Sequence, residues 1–237
     1  MKEEHLHFQH EDASSGGYLR DVIYGANDGI ITTFAVVAGV AGAALSSGVV
    51  IILGFANLIA DGISMGMSNY LGLKSQRDFE ARERMREEQE TELWPEEERD
   101  EIRRMYAAKG FAGQDLDRAV AVITSDKKRW VNEMMIGEFG VVAGSEETPW
   151  KHGLVTFGAF VVAGALPLLP YVIVFTQSRT FLVSIASTAA TLFLVGALRS
   201  RYTKHGWFVS GLEMFFVGAV AAVAAYAVGA LISGFLQ

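Results

Sequence analysis

Long apolar runs and one long polar interval alternate along the chain. The apolar runs cover residues 22–45, 48–72, 153–175, 180–198 and 207–236. A bilayer core takes about 20 mostly apolar residues per helix, so each run predicts a transmembrane helix. The interval between the second and third runs predicts further helices and carries no alternating strand pattern. Lys74 to Leu93 continues the second run with no helix breaker. Trp94-Pro95 interrupts it, and Pro95 suits the first turn of a new helix. That helix runs to about Lys109, where Gly110 stops it. Gln114–Thr124 and Ser125–Phe139 read as two shorter helices. The expected fold is all-α.

Composition sharpens this division. Of 237 residues, 51% are hydrophobic and 20% charged. Residues 74–152 hold 19 of the 27 acids and 14 of the 20 lysines and arginines. The expected organisation is an N-terminal tail (1–21), two spans (22–73), a polar helical domain (74–152) and three spans (153–237). The links between spans set the orientation. Ala44–Gly48 carries no charge and Thr176–Arg179 carries one, whereas Arg199–Lys204 and the 74–152 interval are rich in Lys and Arg. The positive-inside rule puts the N-terminus, residues 74–152 and the 199–205 loop in the cytoplasm. The absence of cysteine excludes disulfides and thiolate metal sites. The polar start, Met1-Lys-Glu-Glu-His5, predicts no cleavable signal.

Three acids fall within the apolar runs: Asp28, Asp61 and Glu213. An ionisable group at mid-helix costs at least ~2.5 kcal/mol in a bilayer and usually lines a pathway. Asp28 and Glu213 also fit a simpler role, capping helices at the headgroup level. Asp61 does not: 13 residues at ~1.5 Å place it about 20 Å from the outer end of its span. Asn57, Asp61 and Met65 recur every four residues and share one helix face. Gly62 and Gly66 flank this face and admit a close neighbour. Oxygen beside a thioether suits a transition metal softer than Mg²⁺ or Ca²⁺. Met65 and Met67 also fit plain packing.

In the polar interval, Glu87, Glu90, Glu98 and Glu101 form two Glu-x-x-Glu pairs, each on one helix face. Met134 and Met135 precede Glu138 by one turn, on the side it shares. Such a set suits a borderline divalent ion. Arginines interleave with these acids, and pairs such as Glu80–Arg84 and Arg86–Glu90 would stabilise an exposed helix without metal. His5, His7 and His10 fit a short mobile tail better than a metal site.

The chain resembles the vacuolar iron transporter family over residues 18–236. The match rests on Tyr18–Phe34, on Ala60-Asp-Gly-Ile-Ser-Met-Gly66 with Ser75-Gln76, and on the Glu-rich insert before Met134-Met135. Pro149–Phe157 and Pro167-Leu-Leu-Pro170 add to it. The resemblance implies five spans, a homodimer and an ion path between the first and second helices at the dimer interface. It implies export of Fe²⁺ from the cytoplasm in exchange for protons, with Mn²⁺ and other divalent transition metals as further candidates. It carries pore contacts onto Asp28 and Met65. It assigns metal binding in the insert to Glu87, Glu90, Glu98, Glu101, Met134, Met135 and Glu138. The family pattern has a glutamate where this chain has Asn57, which either removes the proton-coupling carboxylate or shifts it to Asp61.

No bound cofactor and no nucleic-acid partner are expected. The partners are divalent ions, protons, lipid and a second copy of the chain. The membrane is that of the cell if the source is prokaryotic, and vacuolar if it is eukaryotic. Two other classes compete. A membrane-anchored metal buffer or sensor would not require an acid at Asp61. A di-iron carboxylate enzyme would use Glu-x-x-His pairs, and residues 74–151 hold no histidine.

Overall fold

A computed structural model of the chain describes residues 2–141, 148–173, 177–202 and 204–236, with side chains at 17–141, 148–173, 179–201 and 204–235. The described residues are helical or in short connections, with no strand among them. In order they form α1 (Lys2–Gly42), α2 (Ser47–Leu93), α3 (Pro95–Ala108), α4 (Gly113–Thr124), α5 (Lys127–Phe139), α6 (Pro149–Ala165), α7 (Leu169–Ile173), α8 (Gln177–Arg199) and α9 (Trp207–Leu236). Among the described residues, five helical stretches are long and apolar enough to cross a bilayer: Gly17–Gly42, the apolar part of Ser47–Leu93, Pro149–Ile173, Arg179–Arg199 and Trp207–Phe235. The helix α1 begins at Lys2, so the stretch expected as an N-terminal tail, 1–21, is helical from there on. The side chains of His5, His7 and His10 lie outside the described residues, as does the 174–176 link.

The chain divides into two compact units, Met1–Leu71 with Thr148–Gln237, and Gly72–Glu147. In the first, α1 is the central element and packs on α6, α8 and α9. Within lipid, helices gain little from hydrophobic exclusion and associate through close van der Waals contact, which small residues permit. Gly29 is such a residue: a Cβ there would lie 2.3 Å from the Phe160 carbonyl oxygen of α6. Gly29→Ala is expected to lower stability by about 1–3 kcal/mol through overpacking. Thermal unfolding of the detergent-solubilised chain checks this, and an unchanged midpoint would contradict it.

The third span is interrupted. Pro167 and Pro170 cannot donate backbone hydrogen bonds, and residues Leu166–Leu168 tighten into a 3₁₀ turn between α6 and α7. The carbonyl of Pro167 is satisfied by Ser184 Oγ of α8 at 2.7 Å. An unpaired carbonyl would be costly in hydrocarbon.

The second unit contains the end of α2 with α3, α4 and α5. Pro95 opens α3 in its first turn. Gly110 adopts a positive φ of 97° just after that helix ends. The apolar sides of α3, α4 and α5 enclose Ile102, Val120, Ile123, Trp130 and Met134. The last helix starts two residues later than the sequence suggests, at Lys127 rather than Ser125. Asp126 takes the N-cap and accepts from the Arg129 amide at 2.8 Å, a role that needs non-helical backbone.

Candidate functional site

Chemistry-bearing side chains gather in three places. In the membrane unit, one face of α2 buries Gly54, Leu58, Gly62 and Gly66. Gly62 lies against Phe157, Phe160 and Val161 of α6. Asn57, Asp61 and Met65 lie beside that face and are half-buried. Asn57 Nδ2 donates to Asp61 Oδ2 at 2.7 Å. Asp28 of α1 is also half-buried and close enough to Asp61 for the two charges to interact. Met65 packs against the apolar cluster that contains Phe34, Leu58 and Phe160. Met67 is exposed. Glu213 stands apart: it is exposed and pairs with Arg199 Nη1 at 3.3 Å, which fits the simpler interfacial role.

In the second unit, Glu87 is 1% exposed and Glu98 7%, and the Oε2 atom of each is buried with no hydrogen-bond partner. Buried polar groups are normally paired, so two orphaned carboxylate oxygens mark a site under tension. Burial, and then the charges of Glu87, Glu101 and Glu90, push Glu98 up to about 7. Glu138 is pushed to about 7 by partial desolvation, by a hydrogen bond with Glu101 and by the charges of Glu87, Glu101 and Glu98. Five of the seven predicted insert residues therefore act on one another: Glu87, Glu90, Glu98, Glu101 and Glu138. Among the described residues, no group of three or more His, Asp or Glu side chains is arranged to hold a metal ion as it stands.

Met134 is wholly buried in the α3–α4–α5 core, where its thioether fills the space beside Ile102 and Trp130, whereas Glu138, one turn further on, is exposed. Met135 is also buried. The arginine pairs are partly as expected. Arg86 Nε contacts Glu90 Oε1 at 3.0 Å. Arg84, however, donates to Asn132 rather than to Glu80, which accepts from Gln76 instead. Glu83, not singled out from the sequence, is also buried and pairs with Arg82 and Arg86. Glu133 stands outside the cluster, held by Tyr106 and Lys109 at 2.9 Å each.

The raised carboxyls have a pH consequence. Glu98 and Glu138 hold protons more tightly folded than unfolded, so the metal-free fold loses stability as pH rises from about 4.5 through about 7. A cation binding these groups must displace those protons. Calorimetry of Mn²⁺ binding to the full chain in two buffers of different ionisation enthalpy is expected to show proton release at pH 6.5 that fades above pH 8. Equal heats in both buffers at pH 6.5 would contradict this.

The third cluster was not found from the sequence. Asp21 and His152 are 2% and 1% exposed, and His152 Nδ1 contacts Asp21 Oδ2. Asn69 Nδ2 donates to Asp21 Oδ1 at 3.0 Å and to Thr156 Oγ1 at 2.7 Å. Tyr18 stacks on the imidazole, with centroids 4.4 Å apart. The signal that could have found it is Asp21 lying seven residues before Asp28 on the same helix face.

These features define a helical multi-pass membrane protein with carboxylates inside its spans and a second, carboxylate-rich helical unit. The model of the VIT family matches residues 19–230, and the chain belongs to that family. It is 37% identical over 235 residues to a vacuolar iron transporter of Toxoplasma gondii, covering 95% of this chain and 78% of the relative. It is 32% identical to vacuolar iron transporter 1 of Oryza sativa subsp. japonica, covering 94% and 89%. A vacuolar iron transporter of Plasmodium falciparum is 36% identical, covering 90% and 82%.

Proposed function

We propose that the chain is an iron transporter that moves Fe²⁺ out of the cytoplasm in exchange for protons, working as a homodimer. The observation that carries the reading is the pair of half-buried carboxylates Asp28 and Asp61 in the apolar stretches of α1 and α2, in a chain whose relatives are named vacuolar iron transporters. Two carboxylates with a thioether at Met65 suit Fe²⁺, and Mn²⁺ by the same chemistry. Metal and protons compete for the same oxygen lone pairs, which supplies a coupling without further parts. Asn57 orients Asp61 and cannot itself titrate, so Asp61 and Asp28 take the proton-carrying role.

The positive-inside rule puts the N-terminus and residues 72–147 on the cytoplasmic side. There Glu87, Glu90, Glu98, Glu101 and Glu138 collect Fe²⁺ for export, with Met134 and Met135 as the adjacent thioethers. The membrane is vacuolar in a eukaryotic cell, as the relatives' names suggest, and the cell membrane in a prokaryote. A metal buffer anchored by inert spans would not need acids at positions 28 and 61. The relatives' names and the absence of Glu-x-x-His pairs in residues 74–151 set aside a di-iron enzyme.

The test is metal uptake by liposomes carrying the purified chain, across a panel of Fe²⁺, Mn²⁺, Co²⁺, Zn²⁺ and Mg²⁺. The expected result is flux of Fe²⁺, with Mg²⁺ excluded. Binding without flux for every ion would favour the buffer.

A further inference from the structure

Asp21 is a buried acid that the transport scheme does not use. Its carboxylate is met from three helices. Asn69 of α2 donates to Oδ1 at 3.0 Å, and His152 at the start of α6 contacts Oδ2. Arg20, its neighbour on α1, reaches Oδ1 at 3.5 Å. The same Asn69 amide also reaches Thr156 Oγ1 at 2.7 Å and the His152 carbonyl at 3.4 Å. Glycines bring the backbones together around this knot: a Cβ on Gly25 would lie 2.5 Å from the Thr156 carbonyl oxygen, and one on Gly66 would lie 2.8 Å from that of Gly153.

The knot is in register with the candidate metal site. Asp21 and Asp28 are seven residues apart on one face of α1, about 10.5 Å along its axis. Asn69 and Asp61 are eight residues apart on α2, about 12 Å. The Asp21–Asn69 contact and the Asp28–Asp61 approach are thus two rungs across the same helix pair, nearly evenly spaced. Asp28 and Asp61 repel each other when both are charged, so their approach needs an attraction elsewhere on the pair. A buried carboxylate that would be left unpaired if either helix slid supplies one.

We propose that Asp21 is a positioning residue: clasped by Asn69 and His152, it holds α1 in register with α2 and α6 so that Asp28 faces Asp61. The proposal rests on reading Asp28 and Asp61 as the transported ion's ligands. Residues that orient metal ligands typically change metal affinity by about 10- to 100-fold when removed.

Two measurements test it on the full chain. The first is Mn²⁺ flux into liposomes at varied Mn²⁺. Asp21→Ala and Asn69→Ala are expected to raise the half-saturating concentration by about 10- to 100-fold. The exchange of Asp21→Asn with Asn69→Asp, which rebuilds the cross-helix hydrogen bond, is expected to recover part of that loss. A purely structural role would lower the amount of folded protein and leave half-saturation where it was, and that result would overturn the proposal. The second measurement needs no transport. The chain has no cysteine, so Asp28→Cys with Asp61→Cys gives a single pair whose intramolecular cross-linking reports their spacing. Adding Asn69→Ser, a mild change where Asp21→Ala fails to fold, is expected to slow that cross-linking several-fold. An unchanged rate would overturn the proposal. A wild-type chain without flux but with Asn69-dependent cross-linking would sink the transport reading and leave the register assignment standing.

Discussion

Asp28→Ala is expected to reduce Fe²⁺ flux to the level of protein-free liposomes while leaving the chain folded. The two halves of this expectation have one cause. Asp28 and Asp61 place two like charges near each other inside the spans, an arrangement that opposes folding and is tolerated at functional sites. Removing one relieves the repulsion and deprives the ion of a carboxylate that replaces its hydration. The unfolding midpoint is therefore expected to hold or rise as flux disappears. Wild-type flux in the folded variant would refute the assignment of Asp28, and a collapse in stability would show a structural acid instead.

The second large effect is in the polar unit. Glu98→Ala with Glu101→Ala removes one of the two acids with an orphaned oxygen and the partner of Glu138. Without metal, at pH 8, the variant is expected to be more stable than the wild type, because a buried charge and its repulsions are gone. With metal the order reverses. A ligand at a hundred times its dissociation constant stabilises a fold by about 2.7 kcal/mol, and the double variant is expected to gain little of this. Thermal unfolding of both chains with and without Mn²⁺ checks the crossover. Equal protection by metal would remove these glutamates from the binding site.

Much of this was legible in the sequence. Apolar run length predicts five helices long enough to cross a bilayer, and five such helices stand among the described residues. Spacing by four placed Asn57, Asp61 and Met65 along one side of α2. The Asn57–Asp61 hydrogen bond follows from that spacing, but the approach of Asp28 to Asp61 does not, because it depends on how two helices pack. Asp21 is not marked by the hydropathy pattern, because the first apolar run begins at residue 22, one residue after it. Its partners Asn69 and His152 lie 48 and 131 positions away. The burial of Met134 is not legible in the sequence for a related reason. Periodicity says which residues share a helix face, but not whether a core or a cation faces them, and here the core of α3, α4 and α5 does.

The central claim is that the spans carry a divalent transition metal against protons. It is tested most directly by following Fe²⁺ and internal pH together in liposomes holding the purified chain. Fe²⁺ is expected to enter under an opposing proton gradient, protons to leave as it enters, and both signals to vanish with Asp28→Ala. Fe²⁺ entry unaffected by the gradient and by that substitution, or no entry from a folded wild-type chain, would contradict it.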